Sequence, residues 1–259
     1  EQWLTAGELE RGLAMLRELS TAGKLDGYRV DRHGVLDFIG GRLRLRLRGT
    51  KLVREKDTRE PAPTSTRNRV DLAWTIAGCF LLIDPFRAGA VHALGLTQAL
   101  GIGDDVRALR ALLAEATYSG LYGGWSRRRT DRLLAQVDAL ATELDDHHRA
   151  MAMGTRAIIE LQRGNLREGV ALAPVALERL FAASQTVGWE LMSIRHFYMY
   201  ALYYLGSFRE LTLHVEGEYR DASVRRNRHR MSDVSLNHAT TGWLLSHGPA
   251  VARERAAQT

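Results

Sequence analysis

Apolar residues recur along most of the chain with the spacing of amphipathic helices. In the first clear helix they follow one another at i, i+4, i+7 and i+11, as Val70, Trp74, Ala77 and Leu81. The same kind of spacing predicts helices over 69–83, 85–100, 106–118, 126–144, 147–163, 166–183, 189–205, 208–219 and 231–247. We therefore expect an all-α protein.

Short breaks separate these helices at nearly constant intervals. They fall about 40 residues apart, at Asp84, Gly123, Gly164, Gly206 and Gly248. A period of this size is typical of stacked two-helix repeats, which offer binding surfaces rather than catalytic sites. A small residue follows some turns by five positions, at Gly89 and Gly169. This spacing predicts that the two helices of a pair cross closely there.

Residues 1–68 fit the repeat less well, so we divide the chain into an irregular N-terminal part and a regular array over 69–259. A helix is predicted from Gly7 to about Ala22. Leucine and arginine alternate over 42–48, which is typical of a strand, yet the segment also carries a helical stripe at Leu36, Ile39, Leu43 and Leu47. Of the two interpretations we favour a degenerate helical repeat. Residues 58–68, rich in proline, serine and threonine, are predicted to form a loop.

The charge balance is basic but mixed. The chain has 36 lysine and arginine residues against 30 aspartate and glutamate residues, for a net charge of +6. Because acidic residues are interspersed throughout, we expect an evenly mixed charged surface. The densest basic run is Arg225, Arg226, Arg228 and Arg230. It has two interpretations, a solvated loop between repeats, which we favour, and a phosphate-binding cluster.

Signals for export and for membrane insertion are missing from the sequence. No run of about 18 apolar residues predicts a membrane span, and no secretory signal is visible, so we expect a cytoplasmic location. The single cysteine excludes an internal disulfide and a cysteine-based zinc site. The chain lacks a starting methionine and stops within the second helix of a pair, which suggests a fragment of a longer protein.

Motifs for catalysis and nucleotide binding are also missing. There is no P-loop, no dinucleotide fingerprint, no kinase catalytic loop and no Gly-x-Ser-x-Gly elbow. The run Asp145, Asp146, His147 and His148 has metal-ligand chemistry, but adjacent residues on a helix point about 100° apart. An aspartate at this turn is better placed to cap a helix. We therefore predict that the chain is not an enzyme and holds no cofactor or metal.

An unusually aromatic helix is predicted over 189–205. It is apolar most of the way round, which indicates burial between neighbouring helices. The polar tips of Arg195, Tyr198 and Tyr204 could still line a groove, because tyrosine and arginine commonly anchor protein partners. The full set of candidate partner-binding residues adds Arg156, Arg225 and Arg226.

Several segments give the chain a resemblance to a known group. They are the leucine–arginine run at 43–49 and the segments 69–74, 84–87, 189–190 and 201–206. Through them, residues 35–255 resemble the tetratricopeptide-like helical repeat region at the C-terminal end of large bacterial serine/threonine protein kinases that also carry an ATPase domain. The resemblance implies a right-handed superhelix of antiparallel helix pairs, a tetratricopeptide-like solenoid with a period of about 40 residues. Its motifs are structural, so it assigns no active-site residue.

Together, the repeat pattern and the resemblance predict a protein-interaction or regulatory module of a bacterial signalling protein. We expect a protein or peptide partner on a concave face built from the first helices of successive pairs. The resemblance also implies attached kinase and ATPase domains in a parent protein. Two alternatives stay open, a nucleic-acid-binding solenoid that uses the arginine clusters and a sensor domain for a small ligand.

Overall fold

The structure, a computed structural model, describes residues 34–58, 60–81, 84–183 and 189–258, together with Ala14 and Glu18. Within these residues it is all-α and has no strand. The helices are α1 (Gly34–Arg48), α2 (Thr64–Phe80), α3 (Pro85–Ala99), α4 (Asp105–Gly120), α5 (Arg127–Thr142), α6 (Asp146–Gln162), α7 (Leu166–Ala183), α8 (Trp189–Leu205), α9 (Phe208–Val224), α10 (Arg228–Asp233) and α11 (Ala239–Ala257). Short 3-10 turns occupy Glu55–Asp57 and Gly123–Ser126.

Two compact units make up the described chain, one ending at Ala152 and the other beginning at Met153. In the first unit α3 packs against α1, α2 and α4, and α4 packs against α5. Its core holds large, fully buried side chains, among them Phe80, Leu96, Leu109, Leu112 and Leu133. Gly95 allows α2 and α3 to approach, since a Cβ at this position would lie 2.9 Å from that of Ala73.

The second unit is built around α8 and α9. α8 packs against α7 and α9, and α9 also packs against α10 and α11. The core of this region includes Met199, Leu202, Leu211, Val215 and Trp243. Consecutive helices therefore pack against each other in both units, as the sequence predicted.

Glycines at the turns explain why the helices end where they do. Gly123, Gly164, Gly206 and Gly248 have φ angles of 60°, 85°, 72° and 81°, which residues with a side chain rarely adopt. The remaining predicted break, Asp84, accepts a hydrogen bond from the amide of Arg87 at 3.0 Å and so caps α3. Four of the five predicted turns therefore lie between helices, and the fifth, Gly248, is a kink inside α11.

The glycines that follow the turns behave differently from one another. A Cβ at Gly169 would lie 2.3 Å from Leu161 Cδ2 and 3.0 Å from the carbonyl oxygen of Ala157, so α6 and α7 cross closely as predicted. At Gly89 the space is filled instead by the Phe38 ring of α1, with an atom 2.5 Å from an added Cβ. This glycine makes room for a ring from outside its own pair.

The leucine–arginine run at 42–48 is helical, so the strand interpretation is wrong, while its place in a degenerate repeat stays a prediction. The apolar stripe of this helix is exposed, with Leu43 57% and Leu47 81% accessible. The buried face carries Leu45, which is 1% exposed, and Arg42, which reaches a buried carboxylate. The inward face of α1 thus carries Leu45 together with the ion pair of Arg42, and the apolar stripe lies on the outward face.

Other predicted boundaries are corrected by the structure. The predicted helix 231–247 is wrong, because the chain forms α10, leaves the helix after Asp233 and begins α11 at Ala239. The loop over 58–68 is too long by its last residues, because α2 begins at Thr64 directly after Pro63. The predicted helix 208–219 continues to Val224. The helix predicted from Gly7 to about Ala22 lies outside the described residues, and the division at residue 68 stays a prediction.

Candidate functional site

A cluster of aromatic and imidazole rings reaches the surface at the C-terminal end of α8. We call it the Tyr204 surface, and its members are Tyr200, Tyr203, Tyr204, Phe208 and His238. Tyr204 is 63% exposed and Phe208 39%. The His238 ring centroid lies 4.1 Å from Tyr200, 4.5 Å from Tyr203 and 5.2 Å from Tyr204. One imidazole thus joins three phenol rings into a continuous patch.

Two left-handed backbone positions bring these rings together. Gly206, with φ 72°, ends α8 so that α9 starts at Phe208, whose ring centroid lies 6.2 Å from that of Tyr203. Asn237, with φ 56°, is the left-handed residue that precedes His238 and the start of α11. Asparagine tolerates this conformation better than other side chains do. His238 follows it, and its Nε2 lies 3.3 Å from the hydroxyl of Tyr204.

A buried ion cluster lies deeper in the same unit. Glu218 Oε2 accepts hydrogen bonds from Arg195 Nη1 at 2.9 Å and from Arg230 Nε and Nη2 at 3.2 and 3.0 Å. All three side chains are at most 10% exposed. A buried charge is tolerated when it is paired and hydrogen-bonded, so this cluster ties α8, α9 and α10 together.

The cluster continues outward to the Tyr204 surface. Arg230 also pairs with Asp233 Oδ2, and Asp233 Oδ1 lies 2.6 Å from His196 Nδ1. The His196 ring centroid in turn lies 4.6 Å from that of Tyr200. The buried glutamate is therefore connected to the exposed rings through a short series of polar contacts.

Burial shifts the pKa of two half-buried members of the Tyr204 surface. Burial, together with the charge of Asp233, raises the pKa of the Tyr200 phenol. Burial and the neighbouring His196 lower the pKa of His238 below that of an ordinary imidazole. The Tyr204 surface therefore offers aromatic faces edged by hydroxyl and imidazole groups, a combination suited to a partner that is apolar with polar edges.

The three candidates that the sequence placed on α8 have different environments. Arg195 is 7% exposed, and its guanidinium stacks on the Phe181 ring at 4.7 Å while it binds Glu218. Tyr198 is half-buried, with its ring edge-on to His214 at 5.1 Å. Tyr204 alone of the three belongs to the Tyr204 surface.

The arginine candidates lie elsewhere. Arg225 and Arg226 are exposed just beyond the C-terminal end of α9, and Arg225 pairs with Asp221 at 2.8 Å. Phe208 begins the same helix, which at 1.5 Å per residue puts about 25 Å between the two ends. Arg156 is a partly exposed residue of α6 and already has an interaction partner. The candidates therefore do not form one site, and a binding role for each stays a prediction.

Of the five members of the Tyr204 surface, sequence reasoning named only Tyr204 as a candidate. It missed Tyr200, Tyr203 and Phe208, and it also missed His238, which joins the rings together. His238 was placed inside a continuous helix over 231–247, where it had no special neighbours. Asn237 gave the available signal, because asparagine is enriched at left-handed positions that interrupt helices. The contacts of His238 with Tyr200 and Tyr204 join residues more than 30 positions apart, which no local pattern reveals.

A second polar cluster lies in the first unit around Glu115. Its Oε2 accepts a hydrogen bond from Arg42 at 2.5 Å and its Oε1 one from Arg129 at 2.7 Å, while His92 Nε2 lies 3.3 Å from Oε2. Burial alone would raise the pKa of Glu115, but the contact with His92 and the charges of the two arginines lower it to about 2. Burial lowers the pKa of His92, so this ring stays neutral.

The Glu115 cluster is built for stability rather than for binding. Glu115 and His92 are 1% and 4% exposed, and the hydroxyl-bearing ring of Tyr118 stacks on His92 with centroids 5.2 Å apart. No solute could reach the carboxylate without opening the unit. Its partners come from α1, α3 and α5, so it links three helices to α4.

The run of acidic and histidine residues at 145–148 caps a helix. Asp145 Oδ1 accepts a hydrogen bond from the amide of His148 at 3.0 Å and contacts its ring Nδ1 at 2.6 Å. Asp146 pairs with Arg149 at 2.7 Å. These contacts are those of a helix start, as the sequence predicted. Among the described residues, no group of three metal-binding side chains could hold an ion.

No protein-family model matches the chain, and no curated protein or solved structure matches it either. None of the helices in the described ranges has the length and apolar character needed to cross a membrane.

Proposed function

We propose that this chain is a protein-interaction module that binds a protein or peptide partner at the Tyr204 surface. The observation that carries the proposal is the exposure of Tyr204 and Phe208 beside His238, on a framework fixed by buried ion pairs. Tyrosine is among the residues that contribute most to protein interfaces, because it buries a large apolar ring and keeps a polar tip. The surface is preorganised, so little side-chain entropy is lost on binding.

The wider role follows from the resemblance described above. We infer a tetratricopeptide-like solenoid of helix pairs with a period of about 40 residues, belonging to a bacterial signalling protein of the kinase and ATPase type. Helical packing and the regular turn glycines support this inference. α8, which carries most of the Tyr204 surface, is one of the helices expected to line the concave face. On this basis, the partner regulates, or is regulated by, an attached or associated signalling enzyme in the cytoplasm.

Binding of nucleic acid has weaker support. Within the densest arginine run, Arg230 is 4% exposed and bound to Glu218, and Arg225 pairs with Asp221. Both cations are therefore neutralised inside the chain, which leaves fewer charges for phosphates than the sequence suggests. Absence of DNA or RNA retention at low salt in a filter-binding assay is the expected result.

The test of the proposal compares two double variants of the full chain. Tyr204→Ala with Phe208→Ala removes the exposed rings, whereas Leu213→Ala with Leu245→Ala removes two exposed leucines of the same unit, 63% and 60% accessible. A partner captured by the wild-type chain from its own cells is purified, and its affinity for each protein is measured by calorimetry. We expect at least a tenfold loss for the first variant and less than a twofold change for the second. Equal affinities for the two variants would refute the assignment of the surface.

A further inference from the structure

A single turn in the first unit exposes three large apolar side chains. It joins α4 to α5, and Leu121, Tyr122 and Trp125 are 61%, 53% and 102% exposed. A value near 100% means that the indole of Trp125 contacts almost nothing in its own chain. Surface tryptophans of this kind are rare because the ring is the largest apolar group available for burial.

The turn is held in place rather than loose. Ser126 Oγ donates to the carbonyl oxygen of Ser119 at 2.5 Å and lies 3.1 Å from that of Gly123. The hydroxyls of Ser119 and Thr130 are 2.9 Å apart in the buried base of the turn. Hydrogen bonds thus fix the backbone that presents Trp125 to solvent.

Exposed arginines follow the apolar tip in the sequence, with one exposed acidic residue, Asp131, among them. Arg127, Arg128 and Arg132 are exposed on the first turns of α5, and in the described part of the chain none of them forms an ion pair. The start of a helix favours acidic side chains, yet α5 has no acidic residue in its first turn. Positive charge is therefore concentrated at a position where the helix dipole opposes it.

We propose that this turn, residues 121–132, docks the chain on an anionic lipid surface. Trp125 and Tyr122 would enter the interfacial region, where amphipathic rings are favoured, and Leu121 would extend the apolar contact. Arg127, Arg128 and Arg132 would face the negatively charged headgroups. The site is separate from the Tyr204 surface, and neither depends on the other.

Size and charge favour a lipid surface over a protein. The three apolar side chains expose on the order of 400 Å², about half of what one side of a standard protein interface buries. A second copy of the chain is a poor occupant too, because a two-fold contact would set the same arginines against one another. A membrane needs no complementary pocket and supplies the opposite charge.

The test is flotation of the full chain with vesicles of phosphatidylcholine alone and with phosphatidylglycerol added. We expect binding to the anionic vesicles, weak binding to the neutral ones, and loss of binding as salt rises from about 0.1 to about 1 M. Trp125→Ala should weaken binding about tenfold, by analogy with the loss of one buried aromatic contact. Arg127→Gln with Arg128→Gln should weaken it about twentyfold, since each basic residue near the surface contributes about fivefold.

Leu245→Ala serves as the matched control, because it removes an exposed apolar residue of the second unit and should leave vesicle binding unchanged. Circular dichroism checks that each variant is folded. Equal binding to neutral and anionic vesicles, no binding at all, or full binding by folded Trp125→Ala would each overturn the proposal. So would a Trp125-dependent dimer, or a Trp125-dependent complex with a soluble protein, in the absence of vesicle binding.

Discussion

Glu115 in the first unit and Glu218 in the second occupy similar places. Each is a buried carboxylate held by two arginines from neighbouring helices. Glu115 uses both oxygens, and within the described residues Arg42 and Arg129 form ion pairs with Glu115 alone. Glu218 uses one oxygen, and its partner Arg230 reaches on to Asp233 and thus towards His196.

The comparison shows that a buried carboxylate paired with two arginines can either link helices only or also connect the interior to an exposed surface. In the first unit the two arginines pair with no other carboxylate of the described residues, and the Glu115 cluster links α4 to three other helices. In the second unit the same kind of ion pair is the inner end of a series that stops at the Tyr204 surface. Burial of charge is costly unless it is fully paired, so both clusters stabilise strongly, but we expect changes at Glu218 to be felt at an exposed site as well.

The largest effect on stability is expected for Glu115→Gln. The amide removes the buried counter-charge of Arg42 and Arg129, whose side chains are 17% and 31% exposed, and breaking a buried ion pair typically costs about 3 to 5 kcal/mol. Urea unfolding measures the free energy of unfolding. Glu143→Gln is the control, because Glu143 is 51% exposed in its pair with Arg54 and such pairs contribute about 0 to 1 kcal/mol. Similar costs for the two variants would show that the Glu115 cluster is not a stabilising link.

A somewhat smaller loss, about 2 to 3 kcal/mol, is expected for Glu218→Gln, because Arg230 keeps its ion pair with Asp233 and only Arg195 loses its counter-charge altogether. This variant should also shift the NMR ring signals of His196 and His238, which Glu115→Gln should leave in place. If both variants shift these signals, or if neither does, the Glu218 cluster is not specifically connected to the Tyr204 surface.

Acid should destabilise both units, but through different groups. Burial lowers the pKa of His214 to about 3, so its contribution is complete above pH 6.5 and is lost as the pH falls towards 3. The pKa of Glu115 is lowered to about 2, so its contribution is complete above pH 4.5 and is lost as the pH falls towards 2. One proton corresponds to at most about 1.4 kcal/mol per pH unit.

His214→Gln separates these two contributions. Between pH 6.5 and 4.5 the free energy of unfolding of this variant should fall less steeply with acid than that of the wild type. The difference in slope should persist until about pH 3, and below that pH the two curves should become parallel, because His214 is then protonated in both the folded and the unfolded state. Identical slopes from pH 6.5 to 4.5 would mean that His214 is not held neutral by burial.

The smallest effect on stability is expected for Tyr204→Ala. The side chain is 63% exposed, so its loss should change the free energy of unfolding by no more than about 0.5 kcal/mol. Thermal and urea unfolding of this variant and of the wild type provide the measurement. A loss of 2 kcal/mol or more would make Tyr204 part of the core and would contradict its assignment to a binding surface.

Local chemistry accounts for what could be predicted from the sequence. The helices follow from apolar spacing, and the turns follow from glycines such as Gly164 and Gly206, whose backbone only glycine adopts readily. The caps at Asp84 and Asp145 also follow from local rules.

Features that depend on distant residues could not be predicted. Arg42 and Glu115 are 73 positions apart, so no local pattern indicates that Arg42 lies on the inward face of α1 while the apolar stripe of this helix is exposed. Tyr204 was identified as a candidate from its residue type, but its partner His238 lies 34 positions away beyond an unexpected break. Arg195 has the residue type of an interface anchor, yet its ion pair with Glu218 holds it in the interior.

Photo-crosslinking from the two ends of α9 tests the central claim most directly. A benzoyl-phenylalanine replaces Tyr204 in one full-length chain and Val224, which is 85% exposed at the other end of α9, in a second. After illumination in the native cells, mass spectrometry identifies the adducts of each. We predict that the chain with the crosslinker at position 204 captures a defined protein that the chain with the crosslinker at position 224 does not. No adduct at position 204, or the same adducts from both positions, would contradict the assignment of the Tyr204 surface as the place where this protein meets its partner.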